Sequence, residues 1–530
     1  MTGKILIFFI ILIVQILSSP TSYDEGEFEF LESKMHPPFS ARAARDAMQN
    51  SAISPDELTR EYWLNQAKAT IAERLTLKKN NRKAKNIIVF LGDGMSHATL
   101  AAARNVLGNE NKNLSFEHFP YTASSKTYCV NAQVPDSACT ATAIFSGVKN
   151  NINMVGLTAA AKYDSCSDQN NSSMRAYSIA KWFQDQHKSA GFVTTTSVTH
   201  ATPACVYAKA ANRDWEGNQR VRESGCDDTI VDDIAEQLIH GDIGSKLKVA
   251  LGGGSRFFVN TSTIMHNTYG ARTDGKNLIN EWLSAKPNRK FVKNREELMS
   301  VNTNNIDSLF GLFESYFMQF NLDVVHNNWE SIYPTLTEMA VKAVDVLSKD
   351  KNGYFLLVEG GRIDHGHHFT QSRYAVDELI EFHKAIETIK NKVNLDETLI
   401  VVTGDHGHTL SFGGWPKRGN DVFGVTKGSF GPALDGNDYF SLSYANGPGY
   451  YTHRKAGARV DPKTLDTTGI GFNFPATVPA YVETHSGDDI GVWAVGPQSH
   501  EFRGVIEQNV IAHLMAKAAC VGAYNEDCQN

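Results

Sequence analysis

Long apolar runs are scarce in this 530-residue chain. Beyond the N-terminus no stretch approaches the roughly 20 apolar residues that a membrane-spanning helix needs, so we expect no transmembrane segment. A basic excess is also missing, because the formal net charge is −7. This balance argues against nucleic acid as a specific partner, since no surplus of cations is available to neutralise phosphates. The apolar content of 42% is ordinary for a globular protein with a large core.

The N-terminus has the features of a secretory signal peptide. Lys4 supplies a positive charge, residues 5–17 form a mostly apolar run, and small residues up to Ser22 suit cleavage. The alternative is an uncleaved signal anchor, for which the apolar run is short. We therefore expect a signal peptide at 1–22, a flexible lead-in at 23–53 and a secreted, extracellular protein. The last residues lack a hydrophobic tail, so no lipid-anchor signal is expected.

Seven cysteines are present, which in an exported protein implies an even number in disulfides and at least one left over. Cys166 and Cys226 lie in polar surroundings that suit a surface bridge, and Cys520 and Cys528 are close in sequence. Cys139 lies in a segment of small residues and is expected to be a buried free thiol. Four N-x-Ser/Thr sequons are candidate glycosylation sites, some of which we expect to be used: Asn113, Asn170, Asn171 and Asn260.

Short apolar runs alternate with helical patterns along most of the chain. Such alternation predicts an α/β fold, with a large, mostly parallel central sheet and helices on both faces. We expect one domain over 54–530 with an irregular surface insertion at about 415–475, where Gly, Pro and Asn are frequent. A helix is also expected after Ser54, which suits a cap. The strand candidates are 86–91, 191–195, 248–251, 354–358 and 398–402.

Polar motifs follow these strand candidates, where ligands of parallel sheets bind. Asp93 stands between two glycines after the first strand and is a candidate bridging metal ligand; taken alone, it is equally a turn residue. Ser137 precedes a small-residue helical run, so backbone N–H groups would favour an anion there. Ser137 is therefore a candidate nucleophile, although the same position suits an ordinary helix cap.

The segment 359–368 carries the densest group of ionisable residues. Asp364 and His368 are four positions apart and share a face if the segment is helical, so they can bind one metal ion. Glu359 ends an apolar strand, where an unpaired carboxylate is costly. Asp405 and His406 follow the last strand in one turn.

Three further residues are candidates only in combination with the motifs above. His485 stands alone, and a lone histidine is usually structural. Arg213 suits bidentate binding of phosphate but equally a surface salt bridge. Thr202 offers a hydroxyl oxygen for a hard cation such as Mg²⁺.

Together these motifs resemble the animal alkaline phosphatases, and the insect-like members in particular. The resemblance extends from about residue 55 to the end and rests on Val-Pro-Asp-Ser, Val-Glu-Gly-Gly-Arg-Ile-Asp-His-Gly-His-His, Gly-Asp-His-Gly-His-Thr and Glu-Thr-His-Ser-Gly-Asp-Asp. It implies hydrolysis of phosphomonoesters through a phosphoserine at Ser137, with Arg213 holding phosphate oxygens. It also implies a homodimer and the disulfides Cys166–Cys226 and Cys520–Cys528.

The resemblance assigns two Zn²⁺ and one Mg²⁺ to each chain. The first zinc would take Asp364, His368 and His485; the second zinc Asp93, Asp405 and His406; and magnesium Asp93, Thr202 and Glu359. Vertebrate members have a fourth, calcium-like site, of which Phe313 and Glu314 match a part, but near Tyr333 the expected aspartate is replaced.

Two other functions are kept as alternatives. A phosphodiesterase or a sulfatase-like relative would use the same metal core, although Arg213 and a magnesium set favour monoesters with their extra charge. A catalytically silent binding protein would be expected to lack the nucleophile or a ligand, and none is missing.

Overall fold

The computed structural model describes residues 52–426 and 433–526. The predicted signal peptide and almost all of the predicted lead-in lie outside these residues, as does Cys528. The core is one ten-stranded sheet in the spatial order β10-β2-β9-β8-β1-β7-β3-β4-β6-β5. Its strands are β1 Asn86–Gly92, β2 Tyr121–Lys126, β3 Ser189–Ser197, β4 Val249–Gly253, β5 Arg289–Val292, β6 Ser308–Leu312, β7 Tyr354–Gly360, β8 Thr398–Gly404, β9 Ile490–Val495 and β10 Gly504–Glu507.

The sheet is parallel except at β9, which pairs antiparallel with both β8 and β2. All five predicted strands form, and all five belong to the parallel part. Helices cover both faces, so the predicted α/β class is confirmed. The α-helices of the described residues are α1 Arg60–Thr76, α2 His97–Val106, α3 Ser137–Ser146, α4 Cys166–Asn170, α5 Ile179–Asp185, α6 Ala201–Tyr207, α7 Asn218–Glu223, α8 Ile234–His240, α9 Leu278–Ala285, α10 Arg295–Ser300, α11 Asn321–His326, α12 Leu336–Leu347, α13 Arg362–His368, α14 Ser372–Lys392, α15 Gly449–His453 and α16 Val510–Ala519.

Each central strand divides its side chains between two hydrophobic cores. In β1, Ile87 and Val89 face one core and Ile88 and Phe90 the other, and all four are fully buried. Helices α3 and α16 pack over the first face, whereas α12 and α14 pack over the second. Continuous apolar runs therefore arise because successive side chains point to opposite, equally dry faces.

Two peripheral regions depart from this layered core. Helix α1 follows a 3₁₀ turn at Pro55–Leu58 and buries none of its residues. The predicted insertion contains regular elements: strand Leu442–Gly447 lies between Leu410–Phe412 and Ala476–Pro479 in a small sheet, followed by α15. No helix among the described residues is long and apolar enough to cross a membrane.

Candidate active site

Three neighbouring strands bring acidic residues to one edge of the sheet. Leu91 of β1 is in register with Glu359 of β7, and Gly92 is in register with Gly404 of β8, so Asp93 and Asp405 leave the sheet side by side. Gly94 follows with φ +72°, and a Cβ there would lie 2.6 Å from the His408 ring. A glycine is therefore required for the turn to bring Asp93 this close to the imidazoles.

Ser137 is the first residue of α3, and Asp136 caps that helix by accepting a hydrogen bond from the backbone N–H of Cys139. The Ser137 Oγ atom lies 3.1 Å from His406 Nε2 and 3.3 Å from Asp93 Oδ1. The hydroxyl is buried and stands at the positive end of the helix dipole. The structure thus brings the predicted nucleophile together with two predicted ligands.

Asp364, His368 and His485 converge on one point. Asp364 and His368 share one face of α13, with Asp364 Oδ2 3.2 Å from His368 Nε2, and His485 Nε2 lies 3.2 Å from Asp364 Oδ1. Each ring turns its Nδ1 to a backbone carbonyl, that of Glu483 for His368 and that of Pro135 for His485. Because a carbonyl oxygen only accepts, the Nδ1 atoms are the donors, and both Nε2 atoms face the carboxylate. Two imidazoles and a carboxylate in this arrangement suit zinc.

Asp93, Asp405 and His406 form a second buried group, with ligand atoms within 4.8 Å of one another. His406 Nε2 lies 3.2 Å from Asp405 Oδ2 and 3.4 Å from Asp93 Oδ1. Asp405 Oδ1 accepts the backbone N–H of Gly94, which fixes the carboxylate in the turn. The group contains the three residues that the family resemblance assigned to a second zinc.

A third group consists of buried oxygen atoms of Asp93, Glu359 and Thr202, in which Asp93 lies near Glu359 and Thr202 lies beside Glu359. Asp93 Oδ2, Glu359 Oε1 and the Thr202 hydroxyl are all buried, and none has a hydrogen-bond partner among the described residues. The other Glu359 oxygen accepts the Thr194 hydroxyl at 2.5 Å. His200 also comes within 4.8 Å of Asp93 and Glu359. Buried oxygens without donors fit a hard cation such as Mg²⁺.

Burial sets the electrostatics of this acidic edge. It raises the pKa of Asp93 well above its usual range, and the neighbouring carboxylates of Asp405 and Asp364 raise it further. Burial likewise raises the pKa of Glu359 to about 8 and that of Asp405 to about 6. Carboxylates this close cannot all ionise without positive charge between them. The donor set therefore fits bound cations.

Arg213 is held from two sides. Its Nη1 donates to Asp136 Oδ2 at 2.9 Å and its Nη2 to His200 Nε2 at 2.9 Å. Burial would lower the pKa of Arg213, but the Asp136 carboxylate outweighs burial and raises it. Burial and Arg213 together lower the pKa of His200 to about 3, so His200 is a neutral acceptor. The salt bridge considered for Arg213 therefore forms, but its partner is the buried carboxylate next to Ser137 and not a surface group.

His408 and Glu483 complete the site, and no role was predicted for Glu483 from the sequence. His408 donates from Nδ1 to Glu483 Oε2 and from Nε2 to Asp364 Oδ1, at 2.5 and 2.6 Å. Although burial lowers the pKa of His408, Glu483 and Asp364 raise it to about 10. Glu483 also accepts the backbone N–H of Thr409. The one local feature that could have drawn attention to Glu483 is its position, two residues before the candidate ligand His485.

The two other histidines of the segment 359–368 have hydrogen-bond partners outside the candidate ligand groups. His365 contacts Arg362 through Nδ1 at 2.7 Å. His367 lies between the hydroxyls of Thr99 and Tyr444, 2.9 Å from each.

The cysteines require one correction. Cys139 is not a free thiol: it forms a disulfide with Cys129, ten positions earlier. The expectation failed because neither cysteine carries a local signal for the other, and only the fold of the segment between them brings them together. Cys166–Cys226 is confirmed, Cys205 is the free, buried cysteine of the described residues, and the partner predicted for Cys520 lies outside them.

The residues around Glu314 do not fit a calcium site. Glu314 Oε1 accepts hydrogen bonds from the Tyr333 hydroxyl at 2.7 Å and from Gln319 Nε2 at 2.8 Å. The other oxygen accepts the backbone N–H of Ser315. Protein donors thus satisfy this carboxylate, and in the described part of the chain no group of three acidic, imidazole or thiol ligands surrounds it.

By fold and site the chain is an α/β protein with candidate metal ligands gathered at the carboxyl edge of a mostly parallel sheet. Within that class, the alkaline phosphatase family model matches residues 84–521, and the chain belongs to this family.

Relatives match over almost the whole chain. It is 41% identical over 515 residues to the membrane-bound alkaline phosphatase of Bombyx mori, covering 94% of this chain and 91% of the relative. It is 40% identical over 514 residues to the tissue-nonspecific isozyme of Homo sapiens, covering 93% and 94%. The Thermus thermophilus alkaline phosphatase structure shares the fold, with a TM-score of 0.60, 21% identity, and coverage of 83% of this chain and 92% of that one.

The metal-free protein is predicted to lose stability as the pH rises above about 6.5. Glu359 and His408 have pKa values of about 8 and about 10, both above those of the unfolded chain, so the native state holds protons that the unfolded state releases. The free energy of unfolding then falls with pH by about 1.4 kcal/mol per pH unit for each group, for Glu359 up to about pH 8 and for His408 up to about pH 10. Below about pH 6.5 the buried, neutral histidines oppose this trend.

The measurement is urea unfolding of chelator-treated protein between pH 6.5 and about pH 9, with metal-loaded protein as the reference. Glu359→Gln is the matched control and is expected to flatten the slope of the metal-free protein. Equal slopes for metal-free and metal-loaded protein would contradict the prediction.

Proposed function

We propose that the chain hydrolyses phosphomonoesters through a phosphoserine at Ser137, with two zinc ions and one magnesium ion, and releases an alcohol and inorganic phosphate. Membership of the alkaline phosphatase family supports the reaction class. The observation that carries the finer proposal is the position of Ser137 Oγ, which lies beside Asp93 and His406 at the first turn of α3.

The ligand sets are those that the family resemblance implies. Asp364, His368 and His485 would hold the first zinc, Asp93, Asp405 and His406 the second, and Asp93, Thr202 and Glu359 magnesium. A solved mutant of the TAB5 alkaline phosphatase, 22% identical to this chain, has Mg bound in its M3 site. When bound, the two zinc ions supply positive charge that stabilises the Ser137 alkoxide and the leaving oxygen.

The chain's own residues position the phosphoryl group. Ser137 Oγ forms a bond to phosphorus while the bond from phosphorus to the alcohol oxygen breaks, and water then displaces Ser137 to release phosphate. Arg213 directs its guanidinium at the phosphoryl oxygens, because Asp136 and His200 fix it from behind. The N-terminus of α3 adds backbone N–H groups that favour negative charge.

Ser137→Ala is predicted to lower the turnover of p-nitrophenyl phosphate by at least about a thousandfold, because the nucleophile is removed. Ser441→Ala is the control. Ser441 is buried like Ser137, but its hydroxyl has no hydrogen-bond partner among the described residues. Full activity of Ser137→Ala would refute the covalent route.

Parallel assays with bis-p-nitrophenyl phosphate and p-nitrophenyl sulfate test the phosphodiester and sulfatase alternatives. We expect the monoester to be the best substrate, and faster turnover of either alternative would overturn the substrate assignment.

Asp93→Ala is predicted to lose both magnesium and the second zinc, because Asp93 belongs to two of the three ligand groups. Asp364→Ala is the matched comparison and should lose only the first zinc. Metal content per chain, measured by mass spectrometry of the dialysed proteins, distinguishes the two variants. An Asp93→Ala chain that kept two zinc ions and one magnesium ion would contradict the bridging role.

Export and glycosylation complete the proposal. The disulfides Cys129–Cys139 and Cys166–Cys226 form in an oxidising compartment, which supports secretion after cleavage near residue 22. Asn113 is an exposed sequon position and a suitable acceptor for glycan. N-terminal sequencing and deglycosylation of the secreted chain test both points, and an intact leader or an unchanged mass would contradict them.

A homodimer is predicted, with α1 in the contact. Ile71 is 57% exposed and Leu75 82% exposed on a helix without buried residues, so a second copy would remove apolar surface from water. Ile71→Asp/Leu75→Asp is expected to shift the mass measured by light scattering from two chains to one. Tyr269→Asp, at a similarly exposed residue of a hairpin, is the control and should leave the mass unchanged. A monomeric parent protein would overturn the prediction.

A further inference from the structure

The Cys129–Cys139 disulfide closes a ring of chain that touches the candidate active site at several points. Pro135, within the ring, accepts a hydrogen bond from His485 Nδ1 at 2.7 Å. Asp136 follows and holds Arg213, and Ser137 is the next residue. The arginine and one candidate zinc ligand thus depend on where this ring lies, whereas Ser137 is also held as the first residue of α3.

The disulfide is directly linked to Asp136. An Asp136 carboxylate oxygen and the two sulfur atoms lie within 4.8 Å of one another. Asp136 Oδ1 accepts the backbone N–H of Cys139 at 3.2 Å and that of Asn153 at 3.0 Å, which leaves Oδ2 directed at Arg213. A displacement of Cys139 therefore turns the carboxylate that orients the arginine.

The rest of the ring has little else to hold it. Val130, Asn131, Gln133 and Val134 are exposed, so no packed layer covers them. Backbone bonds tie Val130 to Asn150 and close the turn at Cys129, and the Asn131 side chain accepts the backbone N–H of Ile152. The two half-cystines themselves are only 2% exposed, so the covalent link anchors the exposed segment from inside the protein.

We infer that the Cys129–Cys139 disulfide is a positioning element for phosphate binding: it fixes Asp136, and through Asp136 it fixes Arg213. This inference rests on the proposed function, because it assigns Arg213 to the phosphoryl oxygens. The disulfide Cys166–Cys226 differs in its location. It joins the first residue of α4 to the loop after α7, and among the described residues it has no bond to Asp136 or Arg213.

The test compares variants that lack one bridge each. Cys129→Ala/Cys139→Ala is expected to raise the Kd for inorganic phosphate, measured by calorimetry on the metal-loaded protein, by about three- to tenfold, because small displacements of a binding group are costly. The KM for p-nitrophenyl phosphate should rise by the same factor while kcat changes less, since the lost contacts hold ground state and transition state alike. Asp136→Ala should cause a larger loss of the same kind.

Cys166→Ala/Cys226→Ala is the matched control and should lower the midpoint of thermal unfolding while leaving the Kd for phosphate unchanged. If the alanine pair at 129 and 139 fails to fold, Cys129→Val/Cys139→Ala fills more of the buried space and is measured instead. An unchanged Kd and KM in the variant lacking Cys129–Cys139, with only a lower midpoint, would overturn the inference. Failure of the proposed function is distinct, because the parent protein itself would then bind no phosphate and hydrolyse no monoester.

Discussion

Repulsion among buried carboxylates is the constraint around which this structure is arranged. Parallel strands end at a common edge of the sheet. The residues at the ends of β1, β7 and β8 are therefore brought together even though like charges among them repel. Asp93 is fully buried and has Asp405, Asp364 and Glu359 as neighbours, all of which disfavour its ionised form. A fold can keep such a group only with protons or cations between the carboxylates. The same positions that would destabilise a metal-free protein are thus suited to metal ions.

The orientation of the ligands comes from the backbone around them. His368 and His485 each give one ring nitrogen to a backbone carbonyl, so the direction of the other nitrogen is fixed before any ion arrives. His408 takes a different part, because Glu483 and Asp364 raise its pKa, and the protonated ring balances one carboxylate. Separate loops therefore contribute to one site, and its geometry depends on how firmly those loops are attached to the sheet.

The sequence predicted the parts of this arrangement that have a local cause. Central strands such as β1 and β8 are recognisable because both faces are buried, and Asp364 and His368 because a helix places residues four apart on one side. The edge strand β5 and the reversed strand β9 were not predicted, since their pairing is decided by distant segments. For the same reason no role was predicted for Asp136 or Glu483, and the partner of Cys139 was missed. Each of these depends on a contact that no local pattern encodes.

Arg213 shows why such distant contacts matter for the site. A guanidinium has five N–H donors, and within the described residues two of them are used by Asp136 and His200, which leaves the remainder for an anion. The Asp136 carboxylate and a bound phosphate would both attract the Arg213 guanidinium. The carboxylate must therefore stay fixed, so that it orients the guanidinium without occupying the N–H groups that phosphate needs. Its other oxygen is bound by two backbone N–H groups, one of them from Cys139. The position of a backbone amide in the first turn of α3 thus bears on how much of Arg213 is available, and the exposed segment before that helix is held both by hydrogen bonds and by its covalent tie to the turn.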